Sequence, residues 1–312
     1  MKKSVMVLLF ATIIMIQGSG AIDRISTVDT NPSILSAAEK ELDVPYVPTD
    51  EEVVNKMLNI ANIGSTDILY DLGCGDGRIV VTAAKQYGTK GIGVDIDSDR
   101  IKECHQNAAL AKVEDRVEFL QQDLFLTDFS KATVLTMYLL PSVNLKLRPK
   151  ILSTLKPGTR VVSHDFDMGE WKADQVAELK SHTIYFWIVP ANATGTWSWS
   201  EPNKKSASIQ SLTIDQEFQN INGNVISESA SAPIKDAKIT GDKVQFTIEQ
   251  EINGQSIPLT YVGKIVGNSI EGTIQSGNKS IIADRTWKAS REPSTATTLE
   301  GTDEGNLDII RI

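Results

Sequence analysis

Apolar positions along the chain change period twice. Between Thr49 and Phe166 two kinds of run alternate. Val53, Met57, Leu58 and Ile60 recur at the spacing of one helix face, behind Thr49 and Glu52, which read as a capping box. Asp67–Leu72 is a predicted strand and Arg78–Tyr87 a predicted helix that Gly88 is placed to end. Gly91–Asp97 follows as a second buried strand and Ser98–Ala111 as a second helix. Arg116–Asp123 and Ala132–Leu140 are predicted strands, Ser142–Leu155 a helix broken near Pro149, and Thr159–Phe166 a fifth strand. Strands alternating with helices at this spacing imply right-handed crossovers and a parallel sheet. "TIYFWIVP" (Thr183–Pro190) and "GTWSWS" (Gly195–Ser200) then read as an antiparallel pair joined through Ala191–Thr194.

From Ile209 to Arg291 the period is two throughout. Runs such as "LTIDQEF", "KVQFTIEQ", "LTYVGKIV" and "SIEGTI" are separated by turn dipeptides at Asn222-Gly223, Gly241-Asp242, Asn253-Gly254, Gly267-Asn268 and Gly277-Asn278. The expected organisation is therefore α/β followed by a small all-β domain. Residues 43–202 form the α/β domain, 207–291 a β meander or barrel, and 292–312 a polar, acidic, disordered tail.

The opening residues carry a different signal. Lys2 and Lys3 precede an apolar run from Val5 to Ile16 and the small residues Gly18 to Ala21, the layout of a secretory signal peptide over 1–21, with a linker over 22–42. The run is short against the roughly 20 residues that cross a bilayer. The expectation is an exported, periplasmic or membrane-tethered protein, with retention on the cytoplasmic face left open. The net charge of −9 over 312 residues argues against nucleic acid or anionic lipid as a general partner. Two cysteines, Cys74 and Cys104, do not make a disulfide framework and read as small core residues.

The chemistry is concentrated in "ILYDLGCGDGRIVV". A glycine loop between a strand and a helix is the context of a phosphate or nucleotide site. Here Gly73, Gly75 and Gly77 alternate with other residues, unlike the G-x-G-x-x-G of a dinucleotide loop. Asp71 stands before the loop and Asp76 within it, and carboxylates repel a pyrophosphate. They suit a ligand that carries an ammonium and a sulfonium, S-adenosylmethionine (SAM). Asp95, ending the second strand, can accept from both ribose hydroxyls. Asp123, ending the third, can accept from the adenine amine, beside the backbone N–H of Leu124. Acids at successive strand ends share the carboxyl edge of one sheet, where open α/β folds bind ligands.

With these residues in view, Val44–Ser200 resembles the class I SAM-dependent methyltransferases, which implies a Rossmann-like fold with a seven-stranded sheet. "VPYVP", "DLGCGDGRIV", "LLPSVN" and "PGTRVVS" are similar to the lysine methyltransferases of the ATP synthase c-subunit family and their bacterial relatives. The resemblance implies a protein-lysine N-methyltransferase, and it stops before the β domain. Alternatives are methylation of a small molecule, or a non-catalytic SAM-binding module whose β domain binds a partner.

Candidates for the acceptor end lie after the fourth and fifth strands: Tyr138, and Asp165 and Asp167 in "HDFDMGEW". The place where DNA amino-methyltransferases carry Asp or Asn before Pro-Pro holds Tyr138-Leu139-Leu140-Pro141. His164 reads as a hydrogen-bonded strand-end residue. Three histidines without other clustered ligands give no expectation of a metal.

Overall fold

A computed structural model describes residues 46–200, 209–227, 231–252, 254–280 and 283–299. The predicted signal peptide, the linker and residues 300–312 lie outside the described residues. The described residues belong to one compact unit.

The α/β half begins with α1 (Glu51–Ile60), then β1 (Ile68–Leu72), α2 (Arg78–Tyr87), β2 (Lys90–Asp95), α3 (Ser98–Ala111), β3 (Val117–Gln121), β4 (Val134–Met137), α4 (Pro141–Thr154), β5 (Arg160–His164), β6 (Gln175–Leu179) and β7 (His182–Ile188). These strands make one seven-stranded sheet in the order β3-β2-β1-β4-β5-β7-β6, parallel except that β7 runs against both β5 and β6. Successive residues of a strand face opposite sides. Leu69, Val134 and Val162 therefore meet Val53, Met57 and Leu58 of α1 on one face, while Tyr70, Leu135 and Val161 meet Val143, Leu147 and Ile151 of α4 on the other.

Four local expectations change. Asp50, not Thr49, caps α1, and no side chain closes a capping box; the Thr49 hydroxyl is spent elsewhere. α4 runs unbroken through Pro149, because its buried Leu147, Ile151 and Leu152 hold it to the sheet on both sides of the proline. The antiparallel partner of "TIYFWIVP" is β6, a largely exposed edge strand whose polar sequence hides it. "GTWSWS" belongs to the second half.

That second half comprises β8 (Gly195–Ser200), β9 (Ile209–Glu217), β10 (Asn220–Ile226), the short β11 (Ser231–Pro233), β12 (Lys235–Thr240), β13 (Lys243–Ile252), β14 (Gln255–Val266), β15 (Ser269–Ser276) and β16 (Arg285–Arg291). Each strand pairs antiparallel with its neighbour, β11 hangs on β10, and β16 returns to β8 to close an eight-strand barrel. Trp197 and Trp199 alternate inward with Phe246, Tyr261 and Trp287. Phe246 stacks on Tyr261 at 4.9 Å, and Trp287 stands edge-on to Tyr261 at 5.1 Å. An eight-strand barrel is just wide enough for side chains to fill, and this one is filled. Asn222-Gly223 lies within β10 and makes no turn; a Cβ at Gly223 would sit 2.3 Å from the Thr213 carbonyl oxygen, so the glycine serves close strand approach. Glu292 to Leu299 are not a loose tail: Thr297 N–H donates to Thr194 Oγ1 and the Asn192 amide to the Thr297 carbonyl, strapping the chain end to the start of β8.

The two halves share a core residue. Phe218, in the tight β9–β10 turn at φ 53°, is buried in the methyltransferase-side cluster. It stacks on Trp171 at 6.2 Å and carries the Arg148 guanidinium 5.3 Å above its ring. Gln219 donates to the Lys172 carbonyl, and Ala191 N–H to that of Gly241. Phe218→Ala is expected to cost about 3–5 kcal/mol, the range for buried aromatic truncations. Urea unfolding followed by tryptophan fluorescence checks this. A loss below about 1 kcal/mol, the scale of an ordinary substitution, would mean the barrel is merely tethered.

Candidate active site

The loop after β1 turns through three left-handed glycines, Gly73 (φ 73°), Gly75 (φ 54°) and Gly77 (φ 77°). Gly75 is also required by its neighbour: a Cβ there would lie 2.5 Å from the ring of Tyr46, which packs over the loop beneath the Arg100 guanidinium at 4.5 Å. The Leu139 side chain presses on Gly73 from the β4 side.

The acids divide by role. Asp95 sits where a ribose-binding acid belongs. Its Oδ2 accepts from Gly75 N–H at 2.9 Å and its Oδ1 from Asp97 N–H at 3.0 Å, which leaves each oxygen a further lone pair. Burial raises its pKa, and the backbone N–H groups of Asp97, Gly75 and Ile96 offset that in part. Asp71 lies behind the loop and does not face solvent: it is 2% exposed and accepts from Thr136 Oγ1 at 2.7 Å. Burial pushes it up to about 7, against the Thr136 bond and with the help of the Asp95 and Asp76 charges. Asp76, inside the loop, belongs to Arg78, which grips it with Nε at 2.9 Å and Nη2 at 2.6 Å. Burial opposes that charge, but the fork holds the carboxyl below the usual range. Asp97 caps α3 through Asp99 N–H. Asp123 Oδ1 accepts from Phe125 N–H at 2.9 Å, fixing the turn that displays Leu124 after β3.

These residues fit SAM. Asp95 retains acceptors for a vicinal diol, the glycines add no side chain of their own to the loop over which Tyr46 packs, and the buried Asp71 carboxyl, when ionised, favours a cation nearby. The Asp71 side chain is held by Thr136 and that of Asp76 by Arg78, so in this structure both carboxylates are engaged within the protein.

A second cluster forms at the ends of β4, β5 and β7. Asp165 takes a left-handed backbone (φ 61°) directly after β5. Its Oδ1 accepts from Thr183 N–H at 2.9 Å, and its Oδ2 faces His182 Nδ1 at 2.9 Å and the Tyr138 hydroxyl at 3.4 Å. Burial works against the charge, yet the His182 and Thr183 bonds keep its pKa below normal. His164 is 1% exposed, beneath the Tyr138 ring at 3.9 Å, and burial lowers it to about 4. Its Nδ1 meets Thr49 Oγ1 at 3.2 Å. The "LLPSVN" segment supports this cluster from below, since the buried Asn144 amide donates to Ser163 Oγ and to the carbonyls of Phe166 and Asp167. Asp167 stands apart: it is exposed and accepts from Gly169 N–H, the turn-capping role. The structure thus brings Tyr138 and Asp165 together and leaves Asp167 out.

His182, Thr49, Tyr46 and Arg100 were missed in the sequence. Only "VPYVP" hinted at one of them, Tyr46, and nothing local marks His182, which joins the site through the β5–β7 pairing.

The linkage of Asp71 is testable in the ligand-free protein. A raised carboxyl stabilises the fold below its unfolded pKa of about 4 and loses that contribution as pH rises through about 7. Asp71→Asn keeps a partner for Thr136 and cannot ionise. The stability difference between variant and wild type should move in favour of the variant between about pH 4 and 7 and level off outside. A difference that stays flat across thermal melts in this window would remove the buried charge from Asp71.

Residues 71–175 match the family described as the ANTKMT methyltransferase domain. The chain is 46% identical over 151 residues to a protein-lysine N-methyltransferase of Saccharolobus islandicus (strain REY15A), covering 94% of that protein and 47% of this chain. It is 30% identical over 154 residues to the ATP synthase c-subunit lysine N-methyltransferase of Homo sapiens, covering 64% of that protein and 48% of this chain. Among solved structures, an RNA methyltransferase from Salinibacter ruber in complex with S-adenosyl-L-homocysteine shares 50% identity, with 99% of that chain and 51% of this one covered at a TM-score of 0.46. With the strand order, the glycine loop and Asp95 in place, the chain belongs to the SAM-dependent methyltransferases, in the family of the Saccharolobus islandicus protein-lysine N-methyltransferase.

Proposed function

We propose that the methyl acceptor is a lysine side chain of a protein. The observation that carries this reading is the Asp165 carboxylate. It is held below its usual pKa, oriented by Thr183, and set beside the Tyr138 hydroxyl and two imidazoles at the carboxyl edge of the sheet. The likeness to the Saccharolobus islandicus enzyme supports the substrate class.

SAM, when bound, supplies a methyl group already activated by its sulfonium. The residues of this chain have three tasks. Asp95 and the glycine loop bind. Tyr138, Phe166 and the shielded His164 give a lysine stem an apolar wall, with the Tyr138 and Phe166 rings stacked at 6.2 Å. Asp165 attracts the ammonium, whose reference pKa near 10.4 makes it unreactive until a proton leaves. A carboxylate alone raises that pKa. Loss of the proton therefore depends on desolvation by the aromatic wall, with Asp165 Oδ2, backed by His182, as the acceptor.

Incubation of a membrane and soluble extract with the purified protein and labelled SAM should label a protein at lysine. A labelled low-molecular-weight product instead would overturn the substrate class. With the acceptor in hand, Asp165→Asn should lower turnover roughly 10²-fold or more, the scale of an acid–base group, and keep SAM affinity. Asp167→Asn should turn over normally. Equal losses in both variants would remove Asp165 from its special place.

We also infer that the chain works outside the cytoplasm, supported by Lys2, Lys3 and the apolar run that follows them. No helix among the described residues is long and apolar enough to cross a membrane. A cytoplasm-only reporter fused after Ile312 should be inactive in cells; full activity with an unprocessed N-terminus contradicts this placement.

A further inference from the structure

Two of the three histidines of the chain converge with Asp165 on a single point. His164 Nε2 and His182 Nδ1 are 2.9 Å apart, His182 Nδ1 and Asp165 Oδ2 are 2.9 Å apart, and His164 Nε2 and Asp165 Oδ2 are 3.3 Å apart. Hydrogen bonds cannot satisfy this triangle. Each imidazole nitrogen presents either one proton or one lone pair, and the carboxylate presents only lone pairs. If both nitrogens carry protons, the two N–H groups oppose each other. If only His164 does, the His182 lone pair faces the carboxylate. If only His182 does, the His164 lone pair faces it. Every assignment leaves one edge with like against like.

A cation at the centre resolves all three edges, because three lone pairs then point at one positive charge. The size agrees. Ligand atoms about 2.0–2.1 Å from a metal lie about 3.0 Å apart on an octahedral face and about 3.4 Å apart on a tetrahedral one, and the observed edges span that interval. We propose that His164, Asp165 and His182 form a binding site for a divalent transition cation of the zinc class, with its remaining positions open toward the acceptor side of the sheet edge. Two imidazoles with one carboxylate suit zinc, cobalt, nickel or iron, and not magnesium or calcium, which prefer oxygen.

The surrounding bonds are those a metal ligand needs. His164 Nδ1–H donates to Thr49 Oγ1 at 3.2 Å, which leaves Nε2 as the inward lone pair. His182 ligates through Nδ1 with its proton on Nε2. Thr183 N–H holds Asp165 Oδ1, so that Oδ2 is the atom presented. The left-handed backbone of Asp165 aims the carboxylate back across β5 toward both imidazoles, a local cost of the kind that clusters at functional sites. Nothing in the sequence leads one to expect a metal, because the ligands are 17 and 18 residues apart and only the strand pairing assembles them.

Resting on the lysine reading above, the site has a consequence for turnover. A cation on Asp165 Oδ2 removes the group that receives the ammonium, so metal and acceptor compete.

The test uses the full chain after dialysis against a chelator. Zn²⁺ calorimetry and Co²⁺ visible absorption should both show one equivalent bound. His182→Ala should weaken binding more than about 100-fold, beyond the loss typical of an outer-shell partner, and Thr49→Val about 10–100-fold. His182→Asn guards against a folding defect in the alanine variant, and circular dichroism checks both. His105→Ala, remote from the cluster, should bind as wild type. Absence of binding by either ion, or binding that survives both His182 substitutions in folded protein, overturns the site. Zn²⁺ should raise the KM for the protein acceptor and leave that for SAM unchanged; a KM for the acceptor that does not move overturns the competition. Co²⁺ binding reads the site without turnover, so a failure of the lysine reading would show in the labelling experiment and leave the spectrum intact.

Discussion

The Arg78 fork is the interaction on which the two ends of the site depend. One guanidinium grips Asp76 in the glycine loop through two nitrogens and donates its third, at 2.8 Å, to the carbonyl of Thr49. Thr49 in turn meets His164 through its hydroxyl. A continuous polar chain thus runs from the cofactor loop, over the segment before α1, to the imidazole beneath the acceptor cluster. Bidentate, charge-assisted bonds of this kind fix geometry as well as add energy. Lysine in place of Arg78 would keep the charge and lose the fork. The same segment lays Tyr46 on Gly75, so the strip before α1 is both a cover for the loop and a support for the far cluster.

The barrel is a structural partner of the methyltransferase half. Phe218 projects from the β9–β10 turn into the cluster that also contains Trp171 and Trp187, while Gly158 and Gly241 let the two backbones approach closely. Trp171 belongs to the same "HDFDMGEW" segment that carries Asp165, and Trp187 Nε1–H donates to its carbonyl at 2.8 Å. Packing at the joint and geometry at the acceptor cluster are therefore connected through one short loop. The barrel interior is filled by its own aromatics, so any partner it takes is met by its outer surface.

Legibility in the sequence followed the range of the interactions. The glycine loop and Asp95 were readable because their partners lie within neighbouring strand–turn–helix units. The alternating β runs were readable because period two is local. β6 was not, since Gln175 and Glu178 of an exposed edge strand give no apolar alternation. "GTWSWS" was read as a strand but given the wrong partner, because the core it faces is completed by β16, some ninety residues on. Thr49 looked like a cap because its spacing from Glu52 is that of a capping box, and its real partner is 115 residues away. Asp165 was favoured over Asp167 in the sequence because it directly follows the fifth strand, and the Thr183 and Gly169 bonds give the two acids different surroundings.

Closure of the barrel through β8 and β16 sets an order of events on the ribosome. The seven-stranded sheet is complete once Ile188 has emerged, whereas β8 cannot find its second neighbour until Arg291 has been made, about a hundred residues later. At the usual 5–20 residues per second that interval lasts about 5–20 s. Early in it the sheet is whole while Trp171 lacks Phe218, and until its end Trp197 and Trp199 lack a complete enclosing wall. A nascent chain in that state exposes aromatic surface that the finished barrel buries.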